Sequence, residues 1–164
     1  MNIVLATRNK KKIDEIKRIV RDMPVTVYTL DDFPGCPEVI EDGKTFEENA
    51  VKKARAVSGY TKMPALADDS GLEVYALGGA PGVFSARYSG EGADGRKNYE
   101  KLLREMSSLP DDKRGGRFVC VMALAFPDSC SSLDGRVETF MGYSKGSIGR
   151  EPKGSNGFGY DPVF

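Results

Sequence analysis

Two adjacent carboxylates, Asp68 and Asp69, follow the short apolar run Pro64-Ala65-Leu66 in the segment Ala67-Asp68-Asp69-Ser70-Gly71. Burying one ionised carboxylate costs several kcal/mol, so two in succession at a strand end call for a bound cation, a basic neighbour or open solvent. A hard divalent cation suits these residue types, because Mg²⁺ takes oxygen ligands and is held by one or two carboxylates together with substrate phosphates. The competing reading is an exposed Asp-Ser-Gly turn, since Asp, Ser and Gly are common turn residues.

A second group is basic. Thr7-Arg8-Asn9-Lys10-Lys11-Lys12 lies between an expected strand and an expected helix, where N-terminal amides and lysine side chains can converge on phosphate oxygens. It matches neither a P-loop nor a dinucleotide fingerprint, and a solvated basic helix start competes with the phosphate reading. Positive charge in a first helical turn opposes the helix dipole, which is a small hint of function. Lys53, within Val51-Lys52-Lys53-Ala54-Arg55, and Glu41, in the loop before it, add an ammonium and an oxygen donor of kinds that usually face solvent. The segment from Gly154 to Pro162 combines glycines with Phe158, Tyr160 and Asp161. It reads either as a backbone that admits a flat ring for Phe158 or Tyr160 to stack on, or as a tight turn anchored by its aromatics.

Composition narrows the chemistry. The chain contains no histidine, which removes Ser-His and Cys-His nucleophilic pairs and histidine-ligated zinc together. Catalysis must then use carboxylates, lysines or hydroxyls. The three cysteines, Cys36, Cys120 and Cys130, are odd in number and form no C-x-x-C, which argues against a disulfide framework and a thiolate zinc site. Reduced thiols fit a cytoplasmic location. Lys plus Arg equals Asp plus Glu at 24 each, so no global basic field draws nucleic acid to the chain. No apolar run reaches the roughly 18 residues of a membrane span, and the basic cluster follows the first apolar segment instead of preceding it. Neither a signal peptide nor a membrane anchor is expected.

The elements that must position these groups follow from periodicity. Asn2 to Ala6 reads as a strand, and Ile13, Ile16, Ile19, Val20 and Met23 recur at helical spacing. Val25 to Leu30 predicts a second strand, and Asp31 to Lys44, with Pro34, Gly35, Pro37 and Gly43, a loop. Thr45-Phe46-Glu47-Glu48 fits a capping box, ahead of a helix whose apolar face is Phe46, Ala50, Ala54 and Val57. Leu77-Gly78-Gly79-Ala80-Pro81-Gly82 demands an irregular backbone, and Asp94 caps a helix carrying Tyr99, Leu102, Leu103 and Met106 that Leu109-Pro110 closes. Phe118 to Phe126, apolar throughout, predicts a strand buried on both faces, paired with Val137 to Tyr143 through a loop ending at Asp134-Gly135. No repeat or linker interrupts the 164 residues, so one mixed α/β domain over residues 1–164 is expected.

Read together, these segments resemble the inosine triphosphate pyrophosphatase family. The resemblance rests on Thr7-Arg8-Asn9 with Lys12, on Thr45-Phe46-Glu47-Glu48-Asn49-Ala50 with Lys53-Ala54, and on Ala67-Asp68-Asp69-Ser70-Gly71-Leu72. It continues through Gly78-Gly79-Ala80-Pro81-Gly82-Val83-Phe84-Ser85-Ala86-Arg87-Tyr88 and ends at Gly157-Phe158-Gly159-Tyr160-Asp161-Pro162, covering nearly the whole chain in order. It implies an α/β fold with an elongated mixed β-sheet, flanking helices and two lobes around a central cleft, in a cytoplasmic homodimer. The implied activity is Mg²⁺-dependent hydrolysis of non-canonical purine nucleoside triphosphates (ITP, dITP, XTP) to monophosphate and pyrophosphate, with no nucleic-acid or membrane partner.

By the same resemblance, Asp69 is the general base and a metal-site carboxylate, Glu41 a second Mg²⁺ ligand, and Asp68 stands beside them. Lys12 and Lys53 meet the triphosphate, with Lys53 in the catalytic group. Thr7, Arg8, Asn9, Lys10, Lys11 and Lys12 follow the phosphates, Ser70 adds a hydroxyl contact, and Phe158, Gly159, Tyr160 and Asp161 hold the nucleoside. The alternatives are a Maf-type nucleotide pyrophosphatase and a catalytically idle nucleotide-binding fragment. Family members continue past Gly-Tyr-Asp-Pro into a segment with a lysine and a Ser-His-Arg motif that reads the purine. The apolar end Pro162-Val163-Phe164 reads as a cut through a strand, so a C-terminally shortened chain is expected.

Overall fold

A computed structural model describes residues 1–128, 135–154 and 157–164. Cys130, Asp134, Ser155 and Asn156, which figured in the sequence reading, lie outside the described residues. Among the described residues, five strands form one sheet in the order β2-β1-β3-β4-β5, and three α-helices accompany it. The strands are β1 (Asn2–Leu5), β2 (Thr26–Tyr28), β3 (Ala65–Val74), β4 (Gly115–Ala125) and β5 (Val137–Ser147). The helices are α1 (Lys10–Ile19), α2 (Phe46–Thr61) and α3 (Gly95–Glu105). The sheet is mixed, with β1 parallel to both of its neighbours. Among the described residues, no helix is long and apolar enough to cross a membrane.

The chain divides into two compact units, Met1–Asp69 with Val121–Met141, and Ser70–Cys120 with Gly142–Phe164. In the first, β1 pairs with β2 from Asn2↔Thr26 to Val4↔Tyr28, and with β3 at Val4↔Ala65 and Leu5↔Leu66. Parallel pairing requires long crossovers, and α1 and α2 supply them. The core here is Val4, Leu5, Ala50, Ala54, Val57, Ala65 and Ala67, all essentially inaccessible to solvent. The small residues of α2 let its backbone approach the sheet closely, while Phe46 closes the N-terminal end of the buried face. By contrast α1 buries none of its residues fully: Ile13 and Ile16 are half-buried and Ile19 is exposed, as is Met23 beyond the helix end.

The second unit has its own cluster of Leu72, Val74, Leu102, Met106, Ile148, Tyr160 and Val163. Arg114, only 3% exposed, clasps it from inside: its guanidinium donates to the carbonyls of Met106 (2.5 Å), Ile148 (2.9 Å) and Gly149 (2.7 Å). Three backbone acceptors satisfy a planar cation that burial alone would penalise. Asp94 caps α3 as the sequence predicts, accepting from Lys97 N at 2.8 Å. The glycine-rich turn is irregular, with Gly78, Gly79 and Gly82 all at positive φ, a region disfavoured for side-chain-bearing residues.

Four local features differ from expectation. The second strand stops at Tyr28, because Asp32 Oδ2 takes the Thr29 amide (2.8 Å) and Leu30–Asp32 winds into a 3₁₀ turn. In β4, burial alternates along the strand, so one face is in the core and the other is half-buried. In the capping box of α2, Thr45 Oγ1 accepts from Glu48 N (3.1 Å), but the Glu48 carboxylate takes the Lys44 amide (2.6 Å) instead of Thr45's own. Asp161–Val163 is a 3₁₀ turn with Val163 buried, so the expected strand is absent there.

Candidate active site

Asp68 and Asp69 sit in the middle of the ten-residue strand β3, neither at a strand end nor in a turn, and both are buried. Neighbouring side chains on a strand leave it on opposite faces, so the two carboxylates serve different partners. Asp68 forms an ion pair with Lys12, whose side chain is one-fifth exposed. Asp69 faces α2: its Oδ2 accepts from Asn49 Nδ2 at 3.0 Å, and its Oδ1 lies 3.8 Å from Lys53 Nζ.

Helix geometry explains why α2 supplies both contacts. Asn49 and Lys53 are four residues apart and therefore share a face. The buried stripe of Phe46, Ala50, Ala54 and Val57 holds that face in register. The loop before α2 lies along the helix, residue by residue. Glu41 Oε1 pairs with Lys53 Nζ at 2.9 Å, Asp42 with Lys52 at 2.5 Å, and the Gly43 amide with Asn49 Oδ1 at 2.8 Å. Lys53 thus holds an acid from the loop and an acid from the sheet with one ammonium.

Burial pushes the Asp69 carboxyl above the usual range; Lys53, the Asn49 hydrogen bond and Lys12 pull against it, and the Glu41 charge adds to the rise. A carboxylate whose pKa is raised in this way is a better proton acceptor than a solvated aspartate. Among the described residues no three acidic or thiol side chains gather into a ready-made metal cage. The donor set nevertheless fits a hard cation whose shell is completed by phosphate oxygens and water, since one or two carboxylates are enough in that arrangement.

The basic segment at the start of α1 behaves differently from expectation. Asn9 is the N-cap, and its Oδ1 accepts from Lys11 N (3.1 Å) and Lys12 N (3.4 Å), so two of the amides expected to meet phosphate are already engaged. Thr7 Oγ1 accepts from Asn9 N at 3.2 Å. Arg8 donates to the Cys36 carbonyl at 3.2 Å, tying this segment to the next loop. Lys10 and Lys11 are exposed. The ammonium groups of Lys10, Lys11 and Lys12 can still draw an anion here, that of Lys12 already paired with Asp68.

Ser70, half-buried, follows Asp69 along β3. In the second unit, Phe158 is half-buried and its amide donates to Asp161 Oδ2 at 2.7 Å, while Gly159 takes a positive φ that completes the turn. Tyr160 is 4% exposed in the core and its hydroxyl donates to Ser85 O at 2.9 Å, so of the two rings expected to stack on a base Phe158 is the more accessible. The structure therefore brings Lys12, Glu41, Lys53, Asp68 and Asp69 together in the first unit. Sequence reasoning assigned no role to Asn49; its i, i+4 spacing to Lys53 was the available signal.

The model of the Ham1 family matches residues 3–164. A dITP/XTP pyrophosphatase of Geobacter sulfurreducens is 52% identical over 162 residues, 99% of this chain and 78% of that protein. One from Desulforamulus reducens is 49% identical, over 100% of this chain and 79% of its own length. Among solved structures, a HAM1 protein from Coxiella burnetii superposes with a TM-score of 0.89 at 41% identity, covering 100% of this chain and 81% of its own. A nucleoside-triphosphatase / dITP/XTP pyrophosphatase from Mycobacterium abscessus gives 0.83 at 44% identity, with 100% and 83% covered.

Proposed function

The chain belongs to the Ham1 family, and on that premise we propose that it is a nucleoside triphosphate pyrophosphatase. It hydrolyses non-canonical purine nucleotides, dITP, XTP and ITP, to the monophosphate and pyrophosphate. The observation that carries the reading is the Lys53 ammonium held between Glu41 and Asp69, in a chain about half identical to proteins named for this reaction. The Maf-type alternative is not favoured, because the family match over residues 3–164 is to Ham1.

Glu41 and Asp69 would hold Mg²⁺. When bound, Mg²⁺ acidifies coordinated water and neutralises phosphate oxygens. Asp69 orients the attacking water and accepts its proton, a role for which burial suits it. Lys12 and Lys53 offset the charge gathering on the departing pyrophosphate. Phe158 offers its half-exposed ring to the base, with Asp161 fixing the Phe158 amide and Gly159 shaping the turn. Ser70 adds a hydroxyl beside Asp69, and Thr7 to Lys11 follow the phosphates. A cytoplasmic homodimer accompanies this reading on the strength of the family resemblance.

The test is kinetic selectivity. Steady-state kcat/KM for ITP, XTP and dITP should exceed that for ATP and GTP. Equal values for all five would leave the chemistry and remove the preference for non-canonical purines.

A further inference from the structure

We infer that Asn49 is a positioning residue that fixes which oxygen of Asp69 is free to react and holds the Glu41 loop at its working distance. This rests on the proposed role of Asp69 and adds a residue to the machinery.

Asn49 is 1% exposed, and a buried amide is costly unless both of its ends are satisfied. Both are, by groups that matter to the site. Its Nδ2 donates to Asp69 Oδ2 (3.0 Å) and its Oδ1 accepts from Gly43 N (2.8 Å). With Oδ2 engaged, Oδ1 is the Asp69 oxygen turned toward Lys53. At its other end the amide grips the backbone two residues beyond Glu41, the second acid on that ammonium. One rigid side chain therefore spans sheet, helix and loop.

The approach of the loop is close enough to exclude a side chain at its contact point. A Cβ on Gly43 would stand 2.6 Å from Asn49 Oδ1 and 2.9 Å from Glu48 Cβ. The seat is thus built for an amide against bare backbone. A space-filling role alone would be met by any apolar side chain of similar size, without a donor aimed at a carboxylate and an acceptor aimed at an amide. Two carboxylates that must share one cation need their separation set by something stiffer than a loop, and a two-ended amide from a docked helix supplies it.

Asn49→Ala and Asn49→Asp test the inference, each assayed for pyrophosphate release from ITP with Mg²⁺ and for ITP binding in chelator. Asn49→Asp preserves shape and the Gly43 bond while turning the donor toward Asp69 into an acceptor. The expected result for both is a kcat lower by about 10- to 100-fold, with KM and the metal-free ITP Kd within about twofold of the parent. Should Asn49→Ala fail to fold, Asn49→Asp decides alone. Parental kcat in a folded variant, or a raised KM with kcat intact, overturns the inference. Asp69→Asn run in parallel separates the layers. If it is inactive while the Asn49 variants turn over normally, only the positioning role falls; if it retains near-full turnover, the reading of Asp69 falls and the Asn49 role with it.

Discussion

Lys53 Nζ lies 2.9 Å from Glu41 Oε1, joining a helix to the loop that precedes it. The same ammonium lies 3.8 Å from Asp69 Oδ1 on β3, with its side chain only 12% exposed. In water such pairs contribute little; in this partly buried setting they hold charge of both signs close together.

Asp69→Asn keeps the size and removes the charge. Turnover should drop by on the order of 10³-fold or more. The metal-free protein should become more stable, because burial disfavours the ionised carboxyl that the substitution deletes. A Tm above the parent's is expected by calorimetry. An unchanged rate together with a lowered Tm would place Asp69 among structural residues.

Lys12→Met removes the partner of Asp68 while keeping an unbranched chain. Breaking an ion pair whose acid is buried should cost about 3 kcal/mol in a denaturant titration. KM for ITP should also rise at least about tenfold if the ammonium meets phosphate. Loss of stability with an unaltered KM would confine Lys12 to a structural role.

Arg114→Lys tests the clasp of the second unit. A lysine cannot present the planar fork that reaches the carbonyls of Met106, Ile148 and Gly149 together. At least one buried carbonyl loses its partner, for a cost of about 2 kcal/mol or more in unfolding free energy. A change below about 0.5 kcal/mol would show that water replaces the guanidinium freely.

Phe158 and Tyr160 should separate cleanly. Phe158→Ala should raise KM for ITP several-fold, whereas Tyr160→Phe should cost about 1 kcal/mol of stability and leave KM alone, because its hydroxyl serves Ser85 O. A KM increase for Tyr160→Phe with stability intact would return Tyr160 to the nucleoside site.

Local chemistry was legible where partners are close in sequence. Thr45 and Asp94 cap the helices their spacing predicts, and the apolar face of α2 is the one that periodicity marks. Legibility failed where partners are distant. Asp-Asp-Ser-Gly has the composition of a turn, yet it continues a strand because Lys12, Asn49 and Lys53, all remote in sequence, meet its carboxylates. The burial of Tyr160 is illegible for the same reason, because nothing nearby in sequence reveals that Ser85 receives its hydroxyl. Asn9 shows the converse limit: its capping is local, but a motif read for phosphate hid the simpler use of its side chain. The substrate came from the order of motifs along the chain, since no single spacing specifies a purine.

The measurement that bears most directly on the account is product analysis after incubating the purified chain with ITP in Mg²⁺, with and without chelator. Pyrophosphate and IMP in equal amounts, abolished by chelator and by Asp69→Asn, is the predicted result. Orthophosphate and IDP, or pyrophosphate release indifferent to both metal and Asp69, would contradict it.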